Sequence, residues 1–173
     1  MKNVIKGVLL IFALLSFALN TNAQKRKANK DTKQWKYEIE CAGTGVKGTY
    51  LIKVYSYNKK PKIATAQAKK NAVHGIIFKG FAGGANGCTS QKPLARTPSV
   101  EFEHEDFFKE FFKDGGRYMK YVSSSTDGAV GAGDVQKTSN KLFKIGVVVS
   151  VQKDALRKDL EDAGIIKGLA SGF

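Results

Sequence analysis

Residues 141–152 read KLFKIGVVVSVQ. Phe143, Ile145, Val147, Val149 and Val151 alternate with Lys144, Gly146, Val148 and Ser150. A period of two puts one apolar row on one face of an extended chain. Such a strand is not stable alone. It needs hydrogen-bonding neighbours in a sheet and a second layer over its apolar face. The rest of the chain must supply both.

Two neighbours are legible upstream. In WKYEIEC, Trp35, Tyr37, Ile39 and Cys41 alternate with Lys36, Glu38 and Glu40. In TYLIKVYSY (49–57), Tyr50, Ile52 and Val54 take one face, and Leu51, Lys53, Tyr55 and Tyr57 the other. The turn-like AGTGVKG between them predicts an antiparallel hairpin. RYMKYVSSS (117–125) is expected as a third strand, and TDGAVGAGDVQKTSN (126–140) as a flexible loop before the last one.

The covering layer is helical. In IATAQAKKNAVHGIIFK, Ala64, Ala68, Ala72 and Ile76 recur at spacing four, joined by Ile63, Val73 and Ile77. This narrow stripe lets a helix lie close on a sheet. Lys69, Lys70 and Asn71 fall off it. In VEFEHEDFFKEFFKDGG, Phe107, Phe108, Phe111 and Phe112 share a helical face, with Gly115 or Gly116 as the stop. DALRKDLEDA (154–163) is a third helix, stopped at Gly164. The tail IIKGLASGF is expected to pack back through Ile165, Ile166, Leu169 and Phe173. The order ββ-α-α-ββ-α predicts an α+β domain over 35–173: an antiparallel four-stranded sheet with helices packed mainly on one face.

The chain opens MKNVIKGVLLIFALLSFALNTNAQ. A short basic start, an apolar run from Val8 to Leu19 and the small-residue ending Thr21-Asn22-Ala23 predict a secretory signal peptide over 1–23, cleaved after Ala23. The run is too short to span a ~30 Å hydrocarbon core. No cysteine stands at the cut, which argues against a lipoprotein. Residues 24–34, QKRKANKDTKQ, read as a basic disordered tether. The expected location is periplasmic or secreted. Cleavage would remove Lys2 and Lys6 and no acid, so the net charge falls from +14 to +12. That field attracts anionic surfaces and polymers, and it equally serves plain solubility.

The stretch IIFKGFAGGANGC (76–88) looks at first like a phosphate cradle. A P-loop needs Lys-Ser/Thr after its last glycine, and Cys88-Thr89 stands there instead. The loop also follows a helix C-terminus, the electronegative end of the helix dipole. It reads as a helix stop and a long connection, GFAGGANGCTSQKPLARTPS, with Phe81 as an apolar tip for a partner. Export permits a Cys41–Cys88 disulfide pinning the loop to the sheet, but sequence alone leaves the pairing open.

Candidates for chemistry are few. His74 sits in a helix, where a packing role outweighs catalysis. His104 in EFEHED lacks a second histidine at metal-binding spacing. No pattern for a metal or cofactor is present. Cys88 with a histidine allows a thiol hydrolase, but lacks the helix N-terminus that lowers a thiol's pKa. Tyr55 and Tyr57 near Lys59, Lys60 and Lys62 allow stacking and phosphate contacts, or a protein contact. Export argues against nucleic acid as the main partner.

The stretches IATAQAKKNAVHGIIF and KLFKIGVVVSVQKDALRKDLEDAG resemble the N-terminal α+β modules of flagellar-assembly and related envelope lipoproteins. The Asn-Ala-Gln ending is similar to signal sequences of Bacteroidetes, which implies a Gram-negative envelope. The resemblance implies a role in assembly, without catalysis, and carries over no functional residue. The lipidated cysteine of those lipoproteins is absent. The expected function is therefore a non-enzymatic envelope interaction or scaffolding protein, an accessory of an assembly or secretion system with a protein partner. The alternatives are a binding module for an anionic envelope component and a thiol hydrolase.

Overall fold

The computed structural model describes residues 35–84, 87–125, 130–139 and 142–168. The expected signal peptide and tether lie outside the described residues, as do Leu169 and Phe173. Among the described residues the architecture is α+β, with five strands in one antiparallel sheet. Strand β1 (Tyr37–Gly43) pairs β2 (Tyr50–Asn58), and β2 pairs β5 (Leu142–Val151) along its whole length, from Tyr50↔Val151 to Asn58↔Phe143. The other side of β5 is shared. Its C-terminal end pairs β3 (Val122–Ser124), and its N-terminal end pairs β4 (Val135–Ser139).

Two expectations are corrected on this shared edge. Residues 117–121 are a 3-10 turn and not strand, so β3 is only three residues long. The core takes Tyr118 and Tyr121, both buried. Their spacing of three is the 3-10 repeat and is incompatible with alternation. Residues 135–139, expected in a flexible loop, form β4 instead, because β3 leaves the N-terminal half of β5 unpaired on that side. The first strand also starts two residues late. Trp35 has φ +44° and turns its ring onto the neighbouring helix.

Alternation decides the faces. Ile52, Val54, Ile145, Val147, Val149 and Val151 are buried beneath helix α1 (Pro61–Phe78). Ala64, Ala68 and Ala72 are wholly buried, as the small-residue stripe requires. Lys70 and Asn71 do not lie on an exposed back face; both are buried. The reason is a third layer. Phe108, Phe111, Phe112, Tyr118 and Tyr121 join the same core cluster on the far side of α1, so the helix is enclosed nearly all round. Asn71 donates Nδ2–H to Ser56 Oγ at 2.8 Å, while its buried Oδ1 meets no hydrogen-bond donor among the described residues.

The second predicted helix is two short ones, α2 (Ser99–Glu103) and α3 (Glu105–Phe111), broken at His104. The phenylalanine quartet is core: Phe78 meets Phe108 at 5.0 Å and Phe112 meets Trp35 at 5.2 Å between ring centroids. Helix α4 (Lys153–Asp162) buries Leu156 and Leu160. After it, Gly164 takes φ +69°, and the N–H groups of Ile165 and Ile166 return to the carbonyl of Leu160. Ile165 is thereby folded back and buried, as expected.

Candidate functional site

The long connection after α1 is built by backbone pairing. Gly80 takes φ +65°, and a Cβ there would sit 2.1 Å from the carbonyl oxygen of Gln91. Only glycine permits that approach. Phe81 and Gln91 then exchange two N–H···O bonds of 2.9 Å. Beyond them, the N–H groups of Leu94 and Ala95 bond the carbonyls of Ile76 and Ile77 at 3.1 and 2.9 Å. The loop thus satisfies the last carbonyls of α1, which a helix end leaves without partners. A loop that gives its N–H groups to a helix C-terminus does not offer them to phosphate.

This corrects Phe81. It is no contact tip; it is 8% exposed and packs edge-on against Tyr50 at 5.2 Å. The bridge to Gln91 turns its side chain inward, and Tyr50 Oη donates to Gln91 Oε1 at 2.5 Å beside it. Cys41 Sγ is bonded to Cys88 Sγ, with Cα atoms 6.3 Å apart. The bridge ties β1 to the loop and leaves Cys88 no thiolate for hydrolysis.

The outer sheet face carries Tyr55 and Tyr57, both half-buried. Tyr55 lies across Gly146, where a Cβ would come within 2.9 Å of its ring. Lys144 Nζ sits 4.4 Å above the same ring and 2.6 Å from Glu38 Oε2, and Tyr57 Oη donates to Glu38. Lys53 pairs Asp134 at 2.7 Å. Partial burial pushes both phenols above their ordinary pKa, for Tyr57 with the Glu38 contact in addition. These groups are committed to one another, so the face is a poor base-stacking platform. Lys59, Lys60 and Lys62 are exposed at the β2–α1 junction, and no described carboxylate lies within ion-pair reach of them.

His74 is the centre of a buried polar line. Its Nδ1 is 2.6 Å from Tyr37 Oη, and its Nε2 is 3.1 Å from Glu101 Oε1. The Trp35 ring stacks on it at 3.6 Å. Burial lowers the His74 pKa, against the opposing pull of Glu101, so the imidazole is neutral at pH 7. Tyr37 then donates to Nδ1, and Nε2–H donates to Glu101. Burial raises the Tyr37 pKa far above that of a free phenol, and Glu101 adds to the effect. A phenol that hard to ionise is no nucleophile or base. The line is structural: it fixes α2, through Glu101, onto α1.

On the other side of α2 lies a groove, which sequence reasoning did not find. Its volume is about 580 Å³. Its floor is aliphatic: Leu94 and Ile165 are buried, and Val100 and Ile166 are half-buried. Lys92, Arg96 and Lys167 are exposed at its rim. Among the described residues no carboxylate is within ion-pair distance of these three. A fourth cation, Arg157, is already held by Glu161 at 3.3 Å. Glu103 is the one acid in the lining, next to His104. The signal that was there to read is KPLAR, an apolar pair between cations inside a loop, together with IIK after a helix stop. No helix among the described residues is long and apolar enough to cross a membrane. No family model, curated protein or solved structure matches the chain.

Proposed function

We propose that this chain is an exported, non-enzymatic binding module of a Gram-negative envelope, and that its ligand is an anionic envelope component held in the groove. One observation carries the reading: three rim cations with no ion-pair partner among the described residues stand beside an aliphatic floor. Its volume falls within the roughly 300–1,000 Å³ usual for ligand sites. The signal-like N-terminus and the net charge of +12 from Gln24 onward (14 − 2) point the same way. The absence of a usable thiolate at Cys88 and the high pKa of Tyr37 support a role without chemistry.

The test is co-sedimentation and calorimetry of the chain from Gln24 onward with lipopolysaccharide, acidic polymers and envelope lipids. Binding should weaken between 50 and 300 mM salt, because exposed charges are screened over about 8 Å at physiological ionic strength. It should also weaken in an Arg96→Glu/Lys167→Glu variant. Salt-insensitive binding, or none, would reject the reading.

A protein-scaffolding role is the second reading. Phe102 on α2 is 82% exposed beside the groove, which favours an apolar protein contact. Cross-linking in the native envelope tests it. A single partner lost in Phe102→Ser supports it, and an unchanged cross-link pattern rejects it.

A further inference from the structure

We infer that the groove takes a single-chain fatty acid, with its acyl chain on Leu94, Val100, Ile165 and Ile166 and its carboxylate on Arg96 and Lys167. This rests on the anionic-ligand reading above and names the ligand class.

The floor makes the argument. Leu94, Val100, Ile165 and Ile166 are aliphatic and offer no hydrogen-bonding side-chain atom, while Thr97, Glu103 and His104 are the uncharged or acidic polar groups elsewhere in the lining. A sugar or an acidic peptide would bring hydroxyls or backbone N–H and C=O groups onto that surface, and burying them without partners is costly. An acyl chain brings none. The lining holds no Phe, Tyr or Trp; its one ring is the half-buried His104 imidazole beside Glu103, a small platform for a nucleobase. The volume of about 580 Å³ admits one chain and is small for a two-chain phospholipid. At the rim, the guanidinium of Arg96 has the planar fork that matches a carboxylate, and Lys167 supplies a second positive charge.

The position of the rim cations fits an amphiphile. Arg96 follows directly on buried Leu94 and Ala95, and Lys167 follows directly on Ile165 and Ile166. Two chain segments thus each place an apolar floor residue and a cation in immediate succession. Charge and apolar surface meet along one border, as a head group and tail require.

The experiment is isothermal titration with decanoate, laurate and myristate, each below its micelle concentration. Methyl laurate, dodecyl phosphate, polyglutamate and phosphatidylglycerol vesicles serve as comparison probes. The expected result is one site per chain and tightening of about fourfold per added methylene. Methyl laurate and the Arg96→Glu/Lys167→Glu variant should each lose roughly tenfold. Ile166→Ser, checked for an unchanged melting temperature, should flatten the chain-length dependence.

Laurate bound equally by the charge-reversed variant, or methyl laurate bound as tightly as laurate, would overturn the placement. Dodecyl phosphate binding more tightly than laurate would transfer the site to a phosphate head and overturn the carboxylate assignment. Polyglutamate bound at the groove without any fatty acid would overturn this inference and leave the anionic-ligand reading standing. Vesicle binding without monomer binding would overturn it in favour of a membrane surface. No binding to any probe would overturn this inference, and no binding to lipopolysaccharide either would remove both.

Discussion

Gly80 and His74 show how much a single position decides. At Gly80, any side chain meets the Gln91 carbonyl at 2.1 Å and must also hold φ at +65°. Gly80→Ala should cost 1–3 kcal/mol or more, about the strain of one disfavoured backbone plus a displaced bridge. Urea denaturation reads it directly, and a loss under 0.5 kcal/mol would contradict the close approach. His74 gives a pH dependence. Its folded pKa lies below the unfolded value of 6.5, so the unfolded chain takes up a proton more readily. The His74 contribution is intact above pH 6.5 and falls away as pH drops from there toward the depressed folded pKa. Unfolding free energy should therefore decline between pH 7 and pH 5. His74→Gln should flatten that slope, because an amide does not titrate. An equal slope in the variant would place the effect elsewhere. Neither role was visible in the sequence. Gly80 read only as a helix stop, and His74 only as a packing residue, because the partners Gln91, Tyr37 and Glu101 are distant in the chain.

The elements that were legible are those that bury one clean face. Strands β1, β2 and β5 and helix α1 follow from periods of two and near four, since the sheet and its cover impose those periods. What was misread lies where one residue serves two masters. RYMKY carries residues for the core at spacing three, and VQKTS is a strand only because β5 has an unpaired edge to offer. The groove was illegible for a similar reason. Its floor is drawn from a loop, the five-residue helix α2 and a helix exit, none long enough to show a period. Two element-scale predictions follow from burial and tethering. Ala68→Leu should cost 1–3 kcal/mol by forcing α1 away from the sheet, since Ala68 is wholly buried. A melting temperature equal to that of the native chain would show slack in that interface. Loss of the Cys41–Cys88 bridge, which spans 47 residues, should cost about 4 kcal/mol on the chain-entropy estimate. Denaturation of Cys41→Ser/Cys88→Ser checks the size, and intact mass under non-reducing conditions checks the bond.

At the scale of the molecule, a charge of +14 on 173 residues implies mutual repulsion among the exposed lysines and arginines. Moderate salt should therefore raise the melting temperature while it weakens anionic ligands. These opposite trends separate a stability effect from a binding effect, and calorimetry with and without polyglutamate resolves them. The sheet also has an unusual order of assembly. Its middle strand, β5, is also the last of the described strands, and β2, β3 and β4 all hydrogen-bond to it. Until residues 142–151 are available, only the β1–β2 hairpin can close, and a lone hairpin is marginal in water. The remaining pairings are long-range and slow to form. A nascent chain of this design stays open until residue 151 has been made. Under the export proposed above, it would reach a secretion pore as a thread and acquire its tertiary structure on the far side.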